Sequence, residues 1–227
     1  MARKLTVVGG VVVLALLGCG NTAQGSTSAQ DGDTNLSTGT WGQGGGSSVS
    51  SSSLASSSSS SDTIPFGASP VWGSASAKLT IVEFGDYQSP YGAEMTQIVD
   101  SLRSLYPTQI RWVYKHFPMS LHTNARPAAA ASMAAQRQGK FWDFNSALAP
   151  HYFELSLDVY SQVATDLGLD LVTFRAKMGL DADNIARMDE EYALGLKFGV
   201  TDAPTFFANG VQMSQLSIGA VKTLLGN

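Results

Sequence analysis

The chain has 227 residues, with 14 Lys and Arg against 18 Asp and Glu, a net charge of −4, and 44% hydrophobic side chains. No cluster of basic residues exists to track a phosphate backbone, which argues against a nucleic-acid partner. Cys19 is the one cysteine, so an internal disulfide is excluded, and with it any dithiol chemistry run by this chain alone.

Arg3 and Lys4 precede an apolar run from Leu5 to Leu17. That run is short for a membrane span and suits a signal-peptide core. It closes on Leu16-Leu17-Gly18-Cys19, which resembles the lipobox of bacterial lipoproteins. The resemblance implies a signal peptide over 1–18, acylation of Cys19, and a bilayer as partner. Several acyl chains would anchor the protein stably, in the bacterial cell envelope with its domain outside the cytoplasm. An ordinary secretory signal with an incidental cysteine is the plainer alternative. Residues 19–62 are mostly Ser, Gly, Thr, Asn and Gln, ending in Ser56 to Ser61. They carry too little apolar surface to offset chain entropy, so a disordered tether is expected. A flexible coil of that length spans about 35 Å.

Residues 63–227 suit one domain with a sizeable core. Leu79 to Phe84 reads as a buried strand. Ser89 offers a hydroxyl cap, and Pro90 takes the first position of a helix running to Leu105. The apolar spacing of Met95, Ile98, Val99, Leu102 and Leu105 marks its inner face. Ile110 to Phe117 is a second strand, and the three elements make a parallel βαβ unit. A helical tract follows, over Asn124–Gln138, Phe141–Ala149, Ser156–Leu167, Asp170–Met178 and Asp183–Phe198. In the last of these the expected core stripe is Ile185, Met188, Tyr192 and Leu196. Thr205–Ala208, a turn at Asn209-Gly210, and Val211–Met213 form a hairpin. A final helix is expected over about Gln215 to Leu225. The fold class is α/β: a βαβ half, a helical insertion over about 122–199, and a ββα half.

This order, with several phrases, resembles the DsbA-like thiol–disulfide oxidoreductases of the thioredoxin-like superfamily. The phrases are Thr80 to Tyr87, Phe117-Pro118, His122 with Asn124 to Ala128, Gln138 to Trp142, and Gly199 to Phe206. The resemblance implies a thioredoxin-like fold with an inserted helical subdomain. It also implies a cis peptide bond before Pro204, facing the active-site turn. Family members carry a Cys-x-x-Cys pair on that turn. Here the positions read Ser89-Pro90-Tyr91-Gly92, and both sulfurs are gone. Glu83 matches the family's buried acid. In the family, the backbone before the cis proline pairs with an extended substrate peptide, which needs no sulfur and makes Ala203 and Pro204 binding candidates. Tyr91, at the rim, is a third.

Ser89 lacks an adjacent histidine to activate it, and helix capping accounts for it without catalysis. A rival reading comes from kappa-class glutathione transferases and related isomerases. They share the fold and use a Ser-Pro-Tyr phrase in which the serine holds the glutathione sulfur. Ser89-Pro90-Tyr91 is similar to it. A third reading is a structural or assembly role with the groove empty. His116, His122 and His151 match no zinc spacing, and no metal or other cofactor is implied. The expected function is therefore a membrane-tethered thioredoxin-fold domain without redox cysteines, binding an extended peptide or small ligand near Pro204.

Overall fold

The computed structural model describes residues 63–226. Cys19, the signal segment and the tether lie outside the described residues.

The sheet has five strands in the order β1-β3-β2-β4-β5: β1 Val71–Trp72, β2 Leu79–Gly85, β3 Ile110–His116, β4 Thr205–Ala208 and β5 Val211–Gln212. β2 and β3 run parallel, joined through helix α1, Pro90–Leu105, as the βαβ reading requires. The central strands are buried almost throughout because helices cover both faces. Leu79 and Ile81 point to one face, where they pack with Val99 and Leu102 of α1 and with Val221 and Leu225 of the last helix. Val82 and Phe84 point to the other, against Phe117, Val200 and Phe207. Burying a side chain of this size is worth about 2 kcal/mol over leaving it in water.

Between β3 and β4 lie α2 Ala125–Arg137, α3 Phe141–Leu148, α4 Leu157–Asp166, α5 Leu171–Lys177 and α6 Ala182–Lys197. They enclose a second core around Phe141, Phe144, Tyr160, Phe174 and Met188. The alanines of α2 let it sit in the middle of that core, with Ala128 to Ala131 all buried. The final helix, α7, spans Ile218–Leu225 and starts later than expected, because Ser217 rather than Gln215 caps it.

The face of α6 differs from the expectation. Ile185 and Leu196 are exposed, while Asn184, Met188, Glu191 and Gly195 point inward. Asn184 is tolerated there because it donates to the carbonyls of Lys177 and Gly179 and accepts from Arg137. Glu191 accepts from Ser69 Oγ at 2.5 Å and from the His116 amide at 2.6 Å, with Arg187 Nε at 3.4 Å. Burial pushes its carboxyl up, but His116, Arg187 and the Ser69 hydroxyl together hold it below the usual range. Gly195 faces inward because a Cβ there would stand 2.6 Å from the Phe117 ring, which stacks on Tyr192 at 4.4 Å.

The short strand β1 had no counterpart in the sequence reading. It pairs antiparallel with β3 through Val71 and Trp72. The segment leading to it is fastened by Lys115 Nζ, which donates to Phe66 O and Ser69 Oγ.

Candidate functional site

β4 runs antiparallel to β2, with Thr205 opposite Phe84. The residues just before β4 therefore lie beside the residues just after β2. This register brings Ala203 and Pro204 against the Asp86–Ser89 turn, although they are far apart in sequence. The Ala203–Pro204 peptide bond is cis.

Ser89 caps α1 as expected, with its hydroxyl accepting the Gly92 amide at 3.3 Å. It does a second thing that the sequence did not suggest. The same hydroxyl donates to the Ala203 carbonyl at 2.9 Å. Ser89 is 4% exposed, and its single proton is committed to that carbonyl. The Ala203 amide is also engaged, donating to the Asp202 side chain at 2.8 Å. Both backbone polar groups before the cis proline are thus satisfied internally.

The turn is braced from below by Asp86, which is buried. Its carboxylate accepts from the amides of Gln88 and Met119, each at 2.7 Å, and meets His122 Nδ1 at 2.8 Å. Gln88 Oε1 takes the Asn124 amide at 2.7 Å. Asp86 and Asp202 are the residues that sequence reasoning missed. The usable signal was local, since a short acidic side chain often bonds an amide within two residues of itself.

Glu83 lies one layer beneath, 4% exposed, with Oε2 accepting from the Trp112 indole at 2.9 Å. Burial raises its carboxyl from 4.5 to about 7, the Trp112 bond working against this and Asp100 adding to it. A chamber of about 10 Å³ separates Glu83 from the turn, bordered by Asp86, Gly92, Thr96 and Asn145. It has the size of roughly one water molecule.

Gly92 packs tightly. A Cβ there would lie 2.9 Å from the Asp86 carbonyl oxygen and 3.5 Å from Ser89 Cβ. The second figure falls at the short end of the range spanned by disulfides, about 3.5–4.5 Å. The scaffold keeps the spacing of a dithiol site without the thiols.

Tyr91 projects outward and is 69% exposed. It forms one wall of a cleft of about 390 Å³ whose other walls are Pro204, Thr205, Phe206, Met213 and Leu216. The three candidates Tyr91, Ala203 and Pro204 therefore meet at one place. The three histidines do not: His122 is on Asp86, His151 is on Glu154 at 2.6 Å, and His116 is buried in β3.

The family model described as thioredoxin matches residues 66–227. Among curated proteins, the chain is 31% identical over 144 residues to the Na(+)/H(+) antiporter NhaA 1 of Mycolicibacterium gilvum, and 34% identical over 141 residues to NhaA 3 of Salinispora tropica. These matches take in 62% of this chain but 23% and 21% of the relatives, so the chain spans less than a quarter of their length. Among solved structures, a thioredoxin-like oxidoreductase from Silicibacter pomeroyi is 26% identical, with a TM-score of 0.62 over 70% of this chain and 90% of that one. BdbD from Bacillus subtilis, at 18% identity and a TM-score of 0.62 over 73% and 97%, shares the fold. So does alpha-DsbA1 from Wolbachia pipientis, at 16% identity and the same TM-score over 72% and 92%. With a family model covering most of its length, the chain belongs to the thioredoxin family, and its fold is DsbA-like.

Proposed function

We propose that this is a binding domain rather than an oxidoreductase, and that it takes an extended peptide in the cleft between Tyr91 and Pro204. The observation that carries this is the Ser89–Ala203 hydrogen bond. A serine whose proton is committed to a buried carbonyl serves the loop, while the 390 Å³ cleft beside it stays open and is lined by apolar and polar groups alike. Clefts of this size are where ligands usually bind. Strand addition along Ala203 first requires Asp202 and Ser89 to release its amide and carbonyl, so side-chain contacts with Tyr91, Pro204 and Met213 make the opening interaction.

The glutathione reading fares worse on the same geometry. It needs the Ser89 hydroxyl to donate to a thiolate, and that donor is already used. Thermal-shift titration separates the two. Extended peptides should raise the melting temperature of the wild type and of Ser89→Ala alike, and glutathione should raise neither. A glutathione shift abolished by Ser89→Ala, with no peptide shift, would favour the transferase.

The antiporter activity named for the curated relatives is not carried over. The shared stretch is a small part of those proteins, and among the described residues no helix is long and apolar enough to cross a membrane. We place the domain in the bacterial envelope, tethered through acylated Cys19, on the strength of Leu16-Leu17-Gly18-Cys19. Cys19→Ala is expected to move the protein from the membrane fraction to the soluble fraction on cell fractionation. Unchanged membrane retention would remove lipidation as the anchor.

A further inference from the structure

Tyr91 has a second side. Opposite the Pro204 cleft, it borders another of about 470 Å³, formed between α1 and the turn Ala149–His151 that follows α3. The two clefts share Tyr91 as a wall. The second cleft has a distinct chemistry. Its lining includes the carboxylates of Glu94 and Asp100 and no Lys or Arg. Glu94 is exposed and forms no salt bridge among the described residues. Asp100 uses Oδ1 for both Arg103, at 3.1 Å, and Ser146, at 2.9 Å, and its Oδ2 has no hydrogen-bond partner among the described residues. Arg103, which pairs with Asp100, also lies over the rings of Trp72 and Trp142, at 5.1 and 4.8 Å, so Glu94 is the carboxylate of the lining without an ion pair among the described residues. Tyr152 supplies a second aromatic ring in the lining, so a cation in the cleft would have Tyr91 and Tyr152 as well as the carboxylates for company.

We infer that this cleft receives a basic side chain, lysine or arginine, of the same peptide whose neighbouring residues lie between Tyr91 and Pro204. The inference rests on the proposed peptide-binding function and assigns its specificity. The stem of a long basic residue packs along Tyr91 while its head reaches Glu94 and Asp100. An acidic side chain is repelled at the same place.

The test uses the full-length chain and three fluorescein-labelled hexapeptides, Ser-Val-X-Val-Thr-Ser, with lysine, norleucine or glutamate at X. Fluorescence polarisation should show the lysine peptide binding about fivefold tighter than the norleucine peptide, and the glutamate peptide weakest. The lysine advantage should shrink as salt is added and shrink likewise in Glu94→Gln, an exposed change that leaves the core untouched. Equal binding of all three peptides would overturn this inference and leave the peptide-binding function standing. A lysine preference unchanged in Glu94→Gln would overturn the placement in this cleft. If none of the three peptides binds, the proposed function falls, and this inference with it.

Discussion

Cysteines placed together at 89 and 92 are expected to close into a disulfide, and to give a turn that carries no thiols a measurable capacity to exchange disulfides. The expectation comes from the 3.5 Å between Ser89 Cβ and a Cβ built at Gly92, and from the position of residue 89 at the N-terminus of α1. Amide dipoles there favour a thiolate. The change has a cost. The new Cβ at 92 meets the Asp86 carbonyl at 2.9 Å, so the turn must shift by a few tenths of an ångström. Losing the Ser89 hydroxyl also leaves the Ala203 carbonyl without its donor. Together these should destabilise the reduced double variant by about 2–4 kcal/mol. Mass spectrometry should show the loss of two hydrogens on oxidation, and insulin reduction driven by a thiol should exceed the wild-type background. A folded double variant whose two thiols stay free under oxidant would show that this turn is placed wrongly.

Stability should peak at mildly acidic pH and fall on both sides, through two buried groups that pull in opposite directions. Glu83 has its carboxyl raised from 4.5 to about 7 by burial, with Trp112 opposing and Asp100 adding. The native state thus holds its proton more tightly than the unfolded chain does. That contribution is complete below pH 4.5 and is lost as pH rises toward 7. His116 is the reverse. Burial lowers it from 6.5 to about 4, with Glu191 opposing and Arg187 and Lys115 adding, and neither ring nitrogen has a hydrogen-bond partner. Its contribution is complete above pH 6.5 and is lost as pH falls toward 4. Each shift corresponds to about 3 kcal/mol at roughly 1.4 kcal/mol per pH unit. Urea unfolding from pH 4 to 8 should show Glu83→Gln gaining on the wild type by about 3 kcal/mol across that range. His116→Phe, set among Tyr87, Tyr114 and Phe141, should gain by a similar amount toward low pH. Parallel pH curves for wild type and Glu83→Gln would mean that Glu83 titrates alike in the folded and unfolded chain.

Much of this site could be read along the chain, and the reason is that its parts are local. Ser89 and Pro90 announce a helix start by side-chain chemistry confined to four residues. β2 and β3 announce themselves by β-branched and aromatic residues, and Gly199, with φ at +79°, marks the end of α6. The failures are contacts between distant segments. Nothing near Ser89 says that its hydroxyl reaches across 114 positions to Ala203. The inner face of α6 was misread because periodicity counts apolar residues and is blind to partners. Glu191 and Asn184 turn inward because Ser69, Arg137 and the amide of His116 wait for them. β1 has two residues, too few to show any period, and exists because β3 offers it an edge.

The central claim is that Ser89 holds the cis-proline loop and that ligand enters between Tyr91 and Pro204. Backbone amide shifts, followed by NMR while the lysine-containing hexapeptide is titrated in, test it most directly. Shifts should concentrate at Tyr91, Thr205, Phe206 and Met213, with saturation at the same peptide concentration in wild type and in Ser89→Ala. The Ala203 amide, freed from Asp202 only as the strand pairs, should move late in the titration or not at all. Shifts produced by glutathione instead, centred on Ser89 and Gly92 and lost in Ser89→Ala, would contradict the account.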